Sequence, residues 1–145
     1  MLTTFEALIM GHVLGDYFFQ NNWMAQRKGS SYFSCVVHCL IYTFFVCAMV
    51  AWNPYFAAMV FVSHFFVDKW SLADSWLRVI RGRTLTGFLT KGHVGTPKVL
   101  TEDEQENYCI LRGGFTAVVY VIADNAFHIM LMLIGIKYLK QFGLM

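Results

Sequence analysis

YFSCVVHCLIYTFFVCAMVAWNPYFAAMVFVSHFFVDK, residues 32–69, decides the fold class. Tyr32 to Trp52 is one apolar run, and Tyr55 to Val67 is a second that continues towards Trp70. Crossing a bilayer core takes roughly 20 apolar residues in a helix, so each run reads as a membrane helix. Only Trp52-Asn53-Pro54 separates them, with Pro54 as the breaker. So short a connection folds the two helices back as an antiparallel hairpin.

Working outward, Phe115 to Ile136 is equally apolar apart from Asp124, Asn125 and His128. On the other side, Leu2 to Gln20 is apolar but interrupted by Glu6, His12, Asp16 and Gln20. The expectation is a single all-α domain over residues 1–145. It is a polytopic membrane bundle of about four transmembrane helices, near 2–21, 32–52, 55–72 and 114–138. Composition agrees: 57% of residues are hydrophobic and 14% charged, against about a quarter charged in soluble domains. No positive charge precedes the first apolar segment and no cleavage site follows it, so that segment is expected to persist in the mature protein. Cys35, Cys39, Cys47 and Cys109 sit mostly among apolar neighbours and read as reduced, buried thiols. A net charge of +2 spread over loops argues against nucleic acid as a partner.

The connectors set the orientation. Arg27 and Lys28 lie in the first, and Lys69, Arg78, Arg81, Arg83, Lys91, Lys98 and Arg112 in the long third. Only Lys137 and Lys140 lie on the opposite side. The positive-inside rule then puts both large connectors in the cytoplasm and both termini outside. Within the cytoplasmic connector, about 73–112, Trp70 to Arg83 reads as an amphipathic interfacial helix or as a continuation of the third helix. Trp70, Ala73, Trp76, Leu77 and Ile80 share one face, and Asp74 and Arg78 pair at (i, i+4). Gly82, Gly87, Gly92, Gly95 and Pro97 suggest irregular chain beyond it.

Ionisable groups inside lipid are costly and usually face the bundle interior. Here they recur in register. His12, Asp16 and Gln20 are spaced by four, which keeps them within an arc of about 80° on a helix. His64 and Asp68 repeat the spacing, Asp124 and His128 reverse it, and the second helix adds His38. With the orientation above, all fall in the cytoplasmic half of the bundle. Four His and three Asp at one depth point to a divalent metal: His12, Asp16, His38, His64, Asp68, Asp124 and His128 are the candidate ligands. Imidazole with carboxylate suits zinc first, with iron or manganese behind it. The set exceeds one four-coordinate site. Either two ions bind, or some residues orient the ligands, a role expected of Gln20, Lys69 and Asn125 or shared with substrate contact. The plainer readings are polar glue between helices and a proton or ion path. Cys35-x-x-x-Cys39 flanks His38 and reads as buried thiol; His93 reads as a loop residue.

These residues also carry a resemblance. His12-Val-Leu-Gly-Asp16-Tyr-Phe-Phe-Gln20, then Trp23-Met-Ala25 and Lys28, is similar to the opening of the domain-of-unknown-function 3307 family. His38 with Tyr42, His64-Phe-Phe-Val-Asp68-Lys69 and Asp124-Asn125-Ala-Phe-His128 follow in the family's order, with Asn125 where the family usually has Gln. The resemblance implies a prokaryotic or phage-borne membrane protein and implies no reaction. A looser likeness, through His-x-x-x-Asp on membrane helices, is to membrane-bound metal-dependent hydrolases.

Three functions fit. A metal-dependent hydrolase would act on a lipid or lipid-linked ester or phosphoester, with Asp16 or Asp68 as general base and Lys69, Arg78 or Arg81 near an anionic headgroup. A metal-ion or proton transporter would need the polar stripe to continue outward, yet Thr43 to Trp52 and Tyr55 to Phe61 are almost wholly apolar. A non-catalytic membrane effector would keep the metal as structure. Membrane lipid is the expected partner. A homo-oligomer stays open, because no exposed small-xxx-small face marks a dimer.

Overall fold

The computed structural model describes residues 2–81 and 102–145, and every regular element among them is helical. In order they are α1 (Thr4–Val13), a π-helical stretch (Leu14–Phe18), α2 (Asn22–Arg27), α3 (Tyr32–Val50), α4 (Pro54–Lys69), α5 (Leu72–Arg81) and α6 (Glu102–Gln141). The glycine-rich connector expected at residues 82–97, and His93 with it, lies outside the described residues.

Local chemistry sets the boundaries. Thr3 and Glu6 form a capping box: the Thr3 hydroxyl accepts from the Glu6 N–H, and the Glu6 carboxylate accepts from the Thr3 N–H at 2.7 Å. Asn21 caps α2 and Ser31 caps α3 through their side-chain oxygens. At the hairpin turn the Asn53 side chain accepts from the N–H groups of Tyr55 and Phe56. Pro54 then opens α4, where a missing N–H leaves no helical bond unmade. Asn53 also donates to the Leu144 carbonyl at 2.8 Å, tying the C-terminus to this turn.

The first apolar segment departs from the expected single helix. Its continuous part, Thr4 to Phe18, measures about 22 Å at 1.5 Å per residue, short of the roughly 30 Å hydrocarbon core. Among the described residues, two helices are long and apolar enough to cross a membrane, Tyr32–Val50 and Gly113–Gln141. A third counts if α4 and α5 together make one broken span. The break is local: Ser71 takes a positive φ of 46°, a conformation a serine adopts at a cost, and the helix cannot run through it. The last helix starts at Glu102, earlier than the expected 114.

The chain divides into two compact units. One comprises residues up to Ser71 with Ala126–Met145, the other Leu72–Asn125. In the first, α3 is the hub, packed against α1, the π stretch, α2 and α4. Gly11 and Gly15 make this possible. A Cβ on Gly11 would lie 2.8 Å from the Val46 Cα, and one on Gly15 would lie 2.7 Å from the Tyr42 ring. The small-xxx-small spacing is therefore used inside the chain, to bring two backbones together. Leu8, Tyr42, Val46, Cys47, Phe56, Val60, Met132 and Ile136 form the apolar core of this unit.

In the second unit α5 buries Ala73 and Leu77 but leaves Trp76 and Ile80, of the same expected face, exposed. Across the described residues many large apolar side chains face outward, Phe18, Phe33, Leu40, Phe44, Trp52 and Val62 among them, while His12, His38, His64, Asp68 and His128 are buried beside the apolar core. Such a surface is the kind an apolar solvent favours.

Candidate metal centre

The hairpin places its polar residues at one end. His38 is the seventh residue of α3, and His64 and Asp68 lie in the last turns of α4. Both positions are far along their helices from the Asn53 turn. The glycine contacts of the first segment then lay Asp16 against the same end of α3.

Two imidazoles meet there, with carboxylates from two elements against them. His38 Nε2 and His64 Nε2 are 2.9 Å apart. Asp16 Oδ1 lies 3.0 Å from the first and 3.4 Å from the second. Asp68 Oδ2 lies 3.1 and 3.3 Å from the same two nitrogens. Asp16 Oδ1 and Asp68 Oδ2 are buried and, among the described residues, no N–H or O–H points at either in hydrogen-bond geometry, the nearest nitrogens being those of His38 and His64. A buried carboxylate oxygen without a donor costs several kcal/mol, so a cation is the natural complement. The spacing of the two imidazoles with either carboxylate fits one: bonds of 2.0–2.1 Å in tetrahedral geometry put neighbouring ligand atoms about 3.3 Å apart. Donor type agrees as well, since two imidazoles and two carboxylates make a set suited to a borderline divalent ion.

Each of these four side chains is held from behind. The other oxygen of Asp16 lies 3.3 Å from His12 Nδ1, which is itself 2.9 Å from the Tyr42 hydroxyl. Lys28 Nζ donates to the other oxygen of Asp68 at 2.9 Å. His64 Nδ1 is 3.0 Å from His128 Nδ1, and the Tyr42 ring stacks on the His64 ring with centroids 3.5 Å apart. The Gln20 amide nitrogen touches the His38 ring, 3.4 and 3.3 Å from its two nitrogens. Groups that fix a ligand's tautomer and direction are what a tuned metal site requires. His64, Asp68 and His128 also form a second set of donors close enough to share an ion.

The π stretch matters here. Phe19 N–H bonds to the Leu14 carbonyl, five residues back at 3.0 Å, and this wider turn carries Asp16. Such bulges are rare and concentrate at functional sites. Asp16 and His12 remain in contact across it, and Gln20, after the helix has ended, still reaches His38.

Of the residues expected from the sequence, Asp16, His38, His64, Asp68 and His128 come together as donors, with His12 and Gln20 beside them. Lys69 goes elsewhere: its ammonium donates to the Gly29 carbonyl at 3.0 Å and sits over the Tyr32 ring. Asn125 donates to the Val121 carbonyl of its own helix at 2.6 Å. Asp124 and Asn125 belong to the second unit, and Asp124 is not among the grouped donors. Cys35 and Cys39 are buried with sulfurs 4.0 Å apart, and they too are outside those groups.

Two participants stood in the family-like motifs of the sequence without a role in the site. Lys28 counted as one more loop cation, and nothing local distinguishes it from other loop lysines. Tyr42 was marked only by its spacing of four from His38. No curated protein and no solved structure matches the chain. The family model described as "Protein of unknown function (DUF3307)" matches residues 4–143, so the chain belongs to the DUF3307 family.

Proposed function

We propose that this chain is a multi-pass protein of a prokaryotic inner membrane that binds a divalent metal near the cytoplasmic face and uses it to hydrolyse a lipid or lipid-linked ester or phosphoester. In this reading α3, α4 and α6 cross the membrane and α1 is inserted beside α3. The reading rests on one observation: two buried carboxylate oxygens without hydrogen bonds face two imidazole nitrogens at ligand-to-ligand spacing. Zinc is the first choice of ion, with iron or manganese behind it. Asp16, His38, His64 and Asp68 would hold it.

When bound, such an ion lowers the pKa of water towards 7 and polarises an ester or phosphoryl oxygen. The chain supplies the rest. Asp16 is the more accessible carboxylate, with a side chain 9% exposed against 1% for Asp68. Its outer oxygen, backed by His12, is placed to accept a proton from an attacking water. Tyr42 and His128 hold His64 in one orientation, which limits reorganisation as charge develops.

A conducting path fits less well. Beyond Tyr42 the first unit is closed by Val46, Phe56, Val60, Met132 and Ile136, with no polar continuation among its described core residues. Elemental analysis of detergent-purified protein tests the metal, with about one divalent ion per chain expected and loss of that ion in Asp68→Asn. Reloaded protein is then assayed against a panel of lipid esters and phosphoesters. A wild-type protein that turns over substrate while metal-free removes the reading. Bound metal without turnover across the panel leaves a structural ion in a membrane effector.

A further inference from the structure

The histidines of the centre are closed in. The His38, His64 and Asp68 side chains are 0%, 1% and 1% exposed, so nothing reaches them unless part of the chain moves. Packing decides which part yields first. α3 and α4 each bury a row of side chains along their length, and the apolar core closes the Asn53 end. Residues 20–31, which carry α2, are different, because Met24 alone among them is buried. A segment with so few buried apolar contacts opens locally at little cost.

That segment lies against the centre. The Gln20 amide touches the His38 ring, and Lys28 Nζ donates to Asp68 Oδ1 at 2.9 Å. It is fastened again outside the donors. Lys69 Nζ donates to the Gly29 carbonyl at 3.0 Å and stands 4.0 Å from the centroid of the Tyr32 ring, which packs in turn on Phe65. Two adjacent pairs thus hold each other: Asp68 takes Lys28, and Lys69 takes Gly29. Both ends of the segment are also breaks in helix. The π stretch ends at Phe18, and Ser31 is extended, with φ −107° and ψ 125°, before α3 begins. Positions of this kind absorb a hinge motion.

We infer that residues 20–31 are a hinged cover over the centre and that Lys69 is its latch, which sets how fast an ion or a small reagent reaches the histidines and not how tightly the ion is held. For the ion, this rests on the metal-binding reading above. Entry and exit pass through the same open state. Loosening a latch that lies outside the donors therefore raises both rates by one factor, which cancels in the affinity. In the orientation expected from the loop charges, the cover faces the cytoplasm.

Diethyl pyrocarbonate reads the opening without metal, because it transfers an ethoxycarbonyl group to a neutral imidazole nitrogen that it can reach. The full metal-free chain in detergent is treated with it, and modification of His38 and His64 is followed by peptide mass spectrometry. Lys69→Met, which removes both the donor and the cation, should speed that modification about fivefold or more. Lys69→Arg and Lys69→Gln keep a donor for Gly29 and should stay within about twofold of wild type. Met24→Ala removes the buried side chain of the cover and should act in the same direction as Lys69→Met. Lys140→Met, at an exposed position near the end of α6, should change nothing. Cobalt(II) then reads the ion through its visible spectrum, as it binds and as excess EDTA removes it. In Lys69→Met both rates should rise by a similar factor, with the equilibrium affinity within about twofold of wild type.

Unchanged histidine modification in Lys69→Met overturns the inference, whatever Met24→Ala does. Cobalt that leaves Lys69→Met faster but binds no faster overturns it too, because Lys69 would then act on the ligands themselves. Faster modification in Lys69→Met, with no cobalt bound even by the wild type, supports the cover and removes the metal-binding reading.

Discussion

The two ends of the α3–α4 hairpin are built from the same helices and obey opposite rules. Near the Asn53 turn, Val46, Cys47, Phe56 and Val60 meet Met132 and Ile136, and each contact is interchangeable dispersion between apolar groups. At the far end, His38 and His64 each contact both Asp16 and Asp68, and the contacts are between specific polar atoms. In the proposed membrane setting lipid is as apolar as the first end, so packing there gains little from burial alone. The second end is the reverse: no lipid can replace what its carboxylates need, so removing one partner strands the others. One end shapes the bundle, and the other carries the chemistry.

The sharpest way to break this contrast is at the polar end. Asp68→Asn or His64→Ala is expected to abolish stoichiometric metal, a loss of about a thousandfold or more in affinity for a four-ligand site reduced to three. Equilibrium dialysis with zinc measures it, and near-wild-type affinity in both variants would mean the donor set is misassigned. Replacing the residues behind the ligands should cost less. His12→Ala and His128→Phe are expected to retain one ion per chain but to bind it about 10–100-fold more weakly, the range seen for groups that orient ligands. If His128→Phe instead loses the ion altogether, His128 is itself a ligand, and the second donor set is the real one.

The apolar end should respond first in stability, and in metal only where a contact also positions the donors. Gly11→Val drives a side chain into the Val46 backbone 2.8 Å from its Cβ, and overpacking of this kind costs about 1–3 kcal/mol. Unfolding in a denaturing-detergent titration reads that cost. Because Gly11 also sets the position of His12 and Asp16, metal affinity should fall with it. Phe56→Ala opens a hole far from the donors. It is expected to destabilise by about 1–3 kcal/mol, less than the same change in a water-soluble core, with zinc affinity unchanged. A Phe56→Ala protein that folds normally but loses zinc would show that the two ends are not separable. The smallest effect is expected at Lys69→Gln, within about 0.5 kcal/mol in stability and without effect on metal content, since its contacts are a loop carbonyl and an exposed ring.

Much of this was legible in the order of residues, and for definite reasons. Apolar runs of membrane length, the Asn53-Pro54 break and the (i, i+4) pairs His12/Asp16 and His64/Asp68 are properties of a single helix or turn. Helical geometry alone converts them into faces and depths. That is why α3, the last helix and the family of polar residues could be named in advance. The first segment was harder. Its apolar length suggested a crossing, but the chain widens into a π turn at Leu14 and stops by Phe19, and no local residue pattern announced that.

What the linear chain determined, then, is its helices, two of them long and apolar enough to cross a membrane, and the handful of titratable groups they carry. Which of them face each other was decided only by tertiary structure. Asp68 finds Lys28 across 40 residues, His64 finds His128 across 64, and Tyr42 stacks on His64 because Gly11 and Gly15 let two backbones close up. Pairings of that kind depend on how near two helices approach and how each is rotated. Those quantities are set by small residues and packing far along the chain, not by the charges that end up in contact.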